Sequence, residues 1–209
     1  MTNLPLFLAF VAAAALLTIT PGLDTVMVLR TAGVEGRKSA AMAAGGIALG
    51  CLIWGGAVSL GLGALLQASQ MAYTVVKLAG AAYLLWLGIN LLIRPRKTLE
   101  MNGETPTRSG QDAFGRGFPT NLLNPKMGVF YVTFLPQFVP AGAPVAAYTF
   151  FLAGVHVLLA FIWFALLIAA TVPLAGFLRR PGAVPMLDRL TGGLFVAFGL
   201  RLAISPVAR

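Results

Sequence analysis

The sequence contains little charge and very few acidic residues. Charged residues make up 10% of its 209 residues, against about 25% in a typical soluble domain, and only six residues are acidic. Hydrophobic residues make up 58%, and there are 24 glycines in addition. A soluble chain of this size needs far more polar surface to cover its core. The composition therefore excludes a soluble enzyme and a disordered protein, and it predicts an all-α membrane protein.

Residues for metal binding and for catalysis are also scarce. Cys51 is the only cysteine and His156 the only histidine, so the chain can form neither an internal disulfide nor a structural tetrahedral metal site. The sequence has no phosphate-binding P-loop and no G-x-S-x-G nucleophile motif. We therefore expect no enzymatic activity, no metal, no cofactor and no use of ATP.

Six apolar segments reach or approach the ~20 residues that a membrane span needs. They cover residues 4–29, 39–66, 72–93, 117–139, 145–177 and 190–205, with the fifth ending near Pro173. No basic residue precedes Arg30, so the first segment lacks the positive region of a signal peptide. We expect it to be retained as a membrane span.

The basic residues lie mainly in three of the five connections between these segments. The other two connections, 67–71 and 140–144, have none. By the positive-inside rule the three basic connections are cytoplasmic, which places both termini outside the cytoplasm. The net charge of +9 then sets the orientation in the lipid bilayer, and no nucleic-acid partner is expected. The basic residues of the three connections are Arg30, Arg37 and Lys38; Arg94, Arg96, Lys97, Arg108 and Arg116; and Arg179, Arg180 and Arg189.

The two halves of the chain resemble each other in the order of their motifs. A polar cytoplasmic linker, 97–113, separates a first repeat, 1–96, from a second, 114–209, and each repeat holds three predicted spans. An odd number of spans inserts the second repeat upside down, and inverted repeats with a broken helix at corresponding positions are typical of secondary transporters. We therefore predict six transmembrane helices as two inverted-topology three-helix repeats, with helices 1 and 4 broken. The matching motifs are Thr20-Pro21-Gly22-Leu23-Asp24 with Asn124-Pro125-Lys126-Met127-Gly128, Ile53-Trp54 with Ile162-Trp163, and residues 78–88 with 190–199.

Pro21 and Gly22 interrupt the first predicted span. Proline removes a backbone hydrogen bond and clashes with the preceding turn, so carbonyls near Thr18 and amides near Asp24 need other partners. In lipid only protein or water in a cavity can supply them. The break therefore indicates a cavity, with a purely structural kink as the alternative.

Asp24 is the only acidic residue inside a predicted span. A carboxylate there costs at least about 2.5–3.5 kcal/mol on insertion scales, which favours a function: binding a proton or a substrate ammonium group. The alternative is that Asp24 caps the helix after the break. The other acidic residues fall in predicted cytoplasmic loops and are Glu35, Glu100, Glu104, Asp112 and Asp188.

A second polar cluster interrupts the fourth predicted span, at Asn121, Asn124, Pro125 and Lys126. Proline biases the preceding Asn124 away from helical backbone. Candidate partners of Lys126 are Asp24 across the repeat interface, a substrate carboxylate, or exposed backbone carbonyls. The alternative is that Lys126 snorkels to the cytoplasmic surface.

Other polar residues in the spans are weaker candidates for the functional site. Thr20 and His156 are secondary candidates for the site, and His156 either hydrogen-bonds a neighbouring helix or relays protons. Gly46 and Gly50 form a G-x-x-x-G motif that we expect to pack spans of one chain together.

These motifs resemble those of the lysine-exporter (LysE/RhtB) family of amino-acid efflux transporters. The resemblance rests on the motif that contains Pro21, Gly22 and Asp24, on the segment 121–126 and on the segment 78–88, and it extends over essentially the whole chain. Position 23 departs from it, since the family often has P-G-P-D where this chain has Leu23.

The resemblance implies export of amino acids or close analogues, driven by the proton gradient across the bacterial cytoplasmic (inner) membrane. Asp24 and Lys126 would be the central polar groups, and Pro21, Gly22, Asn124 and Pro125 would shape the breaks. We predict a proton-coupled exporter that works by alternating access. A zwitterionic substrate suits this pair of charges, because both of its charges would find partners away from water. A channel for ions or small solutes is the alternative. The exported amino acid, the proton stoichiometry and homo-oligomer formation stay open.

Overall fold

The computed structural model describes residues 3–68, 70–95, 110–171 and 182–204. In these ranges the regular structure is entirely helical, and no strand occurs. Residues 96–109, which include most of the predicted linker 97–113, lie outside the described residues, as does the segment 172–181 that contains the predicted end of the fifth span near Pro173.

The first predicted span consists of two helices, α1 (Leu4–Ile19) and α2 (Leu23–Val34), which meet at an angle of 53°. Residues 20–22 separate them in extended or irregular backbone, because Pro21 cannot continue the hydrogen-bond ladder of α1. The predicted break in helix 1 is present. Gly36, with φ of 91°, then supplies the left-handed backbone for the turn after α2.

The next two helices are continuous. They are α3 (Arg37–Ala68) and α4 (Gln70–Ile93), and they match the second and third predicted spans to within a few residues. Their interiors have no proline, so nothing interrupts the backbone hydrogen bonds.

Four short segments cover the fourth predicted span, 117–139, and the first of them begins at Gly110, inside the region that the sequence predicted as linker. The helix α5 (Gly110–Leu122) and the short helix α6 (Pro125–Val129) flank the predicted break, and a π-helical turn (Phe130–Phe134) and a 3₁₀ turn (Leu135–Phe138) follow. Asn124 has the extended backbone that its following proline favours, with φ −75° and ψ 110°. Pro136 lies in the 3₁₀ turn, where its missing N–H ends the wider helical pattern.

The last two described helices are α7 (Val145–Ala169) and α8 (Ala183–Ile204). The sequence predicted that the last span begins near residue 190 and that Asp188 lies in a loop, and both expectations were wrong. Asp188 is completely buried inside α8. The apolar pattern alone misplaced the start of this helix, because a charged residue was taken as the end of the span although it is buried within the helix.

Glycines allow close contacts between two pairs of helices. A Cβ on Gly117 of α5 would lie 2.2 Å from the Ala43 carbonyl oxygen of α3, and one on Gly46 would lie 2.2 Å from a carbonyl of α5. The expected intramolecular packing of the G-x-x-x-G motif is thus confirmed. Between α4 and α8, a Cβ on Gly88 or on Gly192 would lie 2.7 Å from the carbonyl oxygen of the other glycine.

Several described helices are long and apolar enough to cross a membrane. Three pass by length and composition (Arg37–Gly61, Val145–Ala169 and Ala183–Ile204), and the bent pair α1 and α2 makes a fourth when it is counted as one span. A shorter apolar stretch of α4, Lys77–Ile93, accompanies them. The described part of the chain therefore supports several membrane crossings.

The core has two clusters of buried side chains. The larger contains Phe10, Phe130 and Phe134, and the smaller contains Val28 and Leu29 of α2 with residues of α3 and α7. Members of both clusters line one cavity at the breaks in helices 1 and 4.

Candidate functional site at two helix breaks

A small cavity lies where the two broken helices meet α3 and α7. It has room for about one or two water molecules. Both predicted charged groups line it, together with polar residues of the two breaks and an apolar wall. Its lining consists of Leu17, Thr18, Thr20, Gly22, Asp24, Thr25, Ile47, Cys51, Asn124, Lys126, Met127, His156, Ala160 and Phe164.

Asp24 lies in the first turn of α2 with only 8% of its surface exposed. Its Oδ2 accepts a hydrogen bond from Asn121 Nδ2 at 2.9 Å. Its Oδ1 is buried and has no hydrogen-bond partner among the described residues. Gly22 is the N-cap of α2, and no side chain caps this helix, so the capping alternative is not realised. The carboxylate has one oxygen directed to α5 and one available to a ligand.

Lys126 lies in α6 and reaches across to the end of α1. Its Nζ donates to the carbonyl oxygens of Leu17 at 2.8 Å and Thr20 at 2.9 Å. These carbonyls belong to the last turn of α1 and to the break, where the helix provides no amide partner. Of the three predicted kinds of partner, Lys126 therefore contacts the exposed backbone carbonyls. Its ammonium group is directed into the protein rather than to the surface.

Asn121 and Asn124 hold the second break. Asn121 is completely buried in the last turn of α5, where its amide contacts Asp24, and its Oδ1 has no partner among the described residues. The Asn124 side chain accepts from the Lys126 backbone N–H at 3.1 Å, and Pro125 is the first residue of α6. Asparagine and proline thus begin α6 as a capped helix, which gives Lys126 its direction.

Thr20 connects the first break to the second half of the chain. Its hydroxyl donates to the Leu16 carbonyl at 2.8 Å and is hydrogen-bonded to the hydroxyl of Thr191 on α8. It is 2% exposed and lines the cavity. The contact joins residues 171 positions apart in sequence.

His156 is buried in α7 and also lines the cavity. Its Nδ1 is 2.9 Å from the hydroxyl of Tyr131 in the π-helical turn. Of the two alternatives that the sequence offered for His156, the structure shows the hydrogen bond to a neighbouring segment. It brings His156 together with Asp24 and Lys126 around one cavity.

Sequence reasoning missed three residues around the site. Cys51 of α3 lines the cavity, Tyr131 contacts His156, and Trp54 Nε1 donates to the Leu122 carbonyl at the second break at 3.2 Å. Trp54 lies about one turn after Gly50 and belongs to the repeated Ile-Trp motif, so the sequence contained a signal for it. Cys51 is turned about 100° from Gly50 around the helix and had no such signal. No pattern in the sequence marked Tyr131.

Chemically, the cavity offers one carboxylate and one ammonium group, each with hydrogen bonds to uncharged partners. In the ranges that the structure describes, no group of three or more His, Cys, Asp or Glu side chains is arranged to hold a metal ion. The arrangement is suited to polar ligands that present an opposite charge to either group.

Several apolar helices with a buried charged cavity between two broken helices define an integral, multi-pass membrane protein. Comparison with known proteins identifies the family. A model of the LysE type translocator family matches residues 15–206, and the chain belongs to this family.

Relatives of nearly equal length are known. The chain is 30% identical over 195 residues to a homoserine/homoserine lactone efflux protein of Salmonella typhi, covering 93% of this chain and 94% of the relative. It is 31% identical over 202 residues to a leucine efflux protein of Enterobacter sp. (strain 638), covering 94% of each. An uncharacterized membrane protein of Bacillus subtilis, YrhP, is 28% identical over 206 residues, with 95% and 98% covered. No solved structure matches the chain significantly.

Proposed function

We propose that this protein exports amino acids or close analogues from the cytoplasm as a secondary transporter. The observation that carries the proposal is the placement of Asp24 and Lys126 on the wall of one buried cavity, each beside a helix break. Relatives of almost the same length are homoserine/homoserine lactone and leucine efflux proteins, which supports the same class of substrate.

A zwitterion complements this pair of charges. The free Oδ1 of Asp24 would accept from the substrate ammonium group. Lys126 would exchange its bonds to the Leu17 and Thr20 carbonyls for the substrate carboxylate. Both substrate charges would then find partners away from water, which offsets the cost of moving them into a low-dielectric site.

We further propose that the spans form two inverted three-helix repeats in the bacterial inner membrane, with both termini outside the cytoplasm. The helix directions support this topology. Gly117 packs on Ala43 and Asn121 packs on Gly50, so α3 and α5 run parallel. In the other pair of helices, Gly88 packs on Gly192 and Gly199 packs near Ala81, so α4 and α8 run antiparallel. Six alternating spans require both relations.

Export would proceed by alternating access coupled to proton antiport. The observed cavity is too small for an amino acid, so substrate entry requires the walls to separate. Asp24 would carry a proton inward when no substrate ammonium group occupies it and release the proton when Lys126 approaches. In this scheme one carboxylate alternates between proton and substrate, and this couples the two fluxes.

The test is efflux of labelled homoserine and leucine from loaded cells. We expect Asp24→Asn and Lys126→Met to lower the efflux rate by about tenfold or more, since each removes a charged hydrogen-bonding partner of the substrate. Asp112→Asn and Lys38→Met are matched controls, because both side chains are exposed and lie outside the cavity. Full export by both site variants would refute the assigned roles. Export that an uncoupler leaves unchanged would indicate a channel instead of an antiporter.

A further inference from the structure

The indole of Trp54 holds the second helix break from the side of α3. Its Nε1 donates to the carbonyl oxygen of Leu122, the last residue of α5, at 3.2 Å. In a continuous helix the amide of Lys126 would bond to this carbonyl, but that amide donates to Asn124 Oδ1 instead. Trp54 thus satisfies a carbonyl that the break exposes.

The same indole also contacts the helix that follows the break. A Cβ added to Gly128 of α6 would lie 3.0 and 3.1 Å from two ring carbons of Trp54, so the ring packs directly on the α6 backbone. Trp54 therefore touches both sides of the break, and it fixes α5 relative to α6. These two helices carry Asn121 and Lys126.

The second half of the chain has a tryptophan at the corresponding position. Ile162-Trp163 in α7 repeats Ile53-Trp54 in α3. The Nε1 of Trp163 is buried and has no hydrogen-bond partner among the described residues. A buried donor without a partner carries a desolvation cost, so its position needs an explanation. The two matching indoles are therefore in different states in the same structure.

We propose that Trp54 and Trp163 are paired positioning residues that act in alternation. Trp54 holds the second break in the observed conformation. Trp163 holds the first break in the opposite conformation, where its N–H donates to the Thr18 carbonyl. Thr18 precedes Pro21 by the same three positions by which Leu122 precedes Pro125. The proposal rests on the inverted repeats and the alternating access of the proposed function.

The experiment uses Cys51, the only cysteine of the chain, as a reporter, because it lines the cavity. A membrane-impermeant thiol reagent labels it in right-side-out and in inside-out vesicles, and the ratio of the two rates reports the populations of the two conformations. Trp54→Phe and Trp163→Phe each remove one N–H and keep an aromatic ring. Trp86→Phe is the matched control, since Trp86 is 59% exposed on α4.

We expect Trp54→Phe and Trp163→Phe to shift the labelling ratio in opposite directions, each by about twofold to tenfold, the equivalent of one hydrogen bond. Trp86→Phe should leave it unchanged. A shift in the same direction for both variants, or no shift, overturns the proposal, because loss of packing alone would not separate them.

A second cysteine reporter and a readout that does not depend on export make the labelling experiment decisive. Ala160→Cys, placed in a Cys51→Ala background, provides a second reporter on the apolar wall of the cavity, and failure to label either cysteine from either side also overturns the proposal. Labelling requires no export of an amino acid, so opposite shifts in a protein that exports neither homoserine nor leucine would refute the proposed substrate and leave the paired tryptophans supported.

Discussion

Replacing Gly50 by alanine tests the link between helix packing and the site. Gly50 lies in α3 directly against the side chain of Asn121. A Cβ added there would lie 2.6 Å from Asn121 Oδ1, 3.0 Å from its Cβ and 3.1 Å from its Cγ. The added methyl group forces the Asn121 amide to move, and this amide donates to Asp24. Gly50→Ala should therefore weaken the hydrogen bond from Asn121 to Asp24, although the new methyl group makes no direct contact with Asp24.

Three contributions set the expected loss in the free energy of unfolding of Gly50→Ala. Overpacking a tight helix interface costs about 1–3 kcal/mol, and loss of a hydrogen bond to a charged group costs about 1.5–3 kcal/mol. The alanine recovers about 0.5–1 kcal/mol through its better helix propensity. We expect Gly50→Ala to lower the free energy of unfolding by about 2–5 kcal/mol, and the misplaced Asn121 should lower amino-acid efflux as well.

Gly56→Ala is the matched control on the same helix. No atom lies within 4 Å of a Cβ at this position, so the substitution should be neutral or stabilise α3 by about 0.5–1 kcal/mol. The assay is denaturant unfolding of the purified protein in detergent, followed by efflux of labelled homoserine and leucine from cells with equal amounts of each variant in the membrane.

A second variant separates the steric cause from a general weakening of α3. Asn121→Ala removes the closest contacting atoms, so Gly50→Ala combined with Asn121→Ala should be more stable than the sum of the single effects predicts, by about 1–3 kcal/mol. Efflux should stay low in the double variant, because Asp24 still lacks its amide donor. Equal free energies of unfolding for Gly50→Ala and Gly56→Ala would refute the reasoning, and so would a double variant whose loss of stability is the exact sum of the two single losses.

Two further predictions concern contacts between helices away from the cavity. Gly88→Ala places a methyl group 2.7 Å from the Gly192 carbonyl oxygen and should lower the free energy of unfolding by about 1–3 kcal/mol. Gly193→Ala is the control, because its methyl group meets nothing within 4 Å, and it should leave the free energy of unfolding unchanged. Equal losses of stability in the two variants would contradict the packing of α4 on α8. Arg116 Nη2 donates to both carboxylate oxygens of Glu35 at 2.8 Å, and both side chains are largely buried, so Arg116→Gln should cost about 3–5 kcal/mol. Exchanging the two charges should recover part of that loss in the same unfolding assay, and a charge exchange as unstable as the single variant would argue against the ion pair.

The sequence by itself determined the helical class and the places where helices break. Proline has no backbone N–H, so Pro21 and Pro125 each remove one hydrogen bond from the helical ladder, and a helix break accompanies both of them, whereas Pro119 lies inside α5. The same local chemistry predicted the extended backbone of Asn124 and named exposed carbonyls among the partners of Lys126. These features depend on neighbours within one helical turn, which the sequence shows directly.

Only the tertiary structure decided which side chains meet. The rotation and register of packed helices bring Asn121 to Asp24 across 97 positions, and they direct Lys126 to the carbonyls of α1 rather than to the surface. They also bury Asp188, which the apolar pattern had placed in a loop. Such pairings depend on close contacts at glycines such as Gly46 and Gly117, where the backbones of α3 and α5 fix each other's position. A one-dimensional pattern contains no distance between helices, so it could propose the members of this site and could not arrange them.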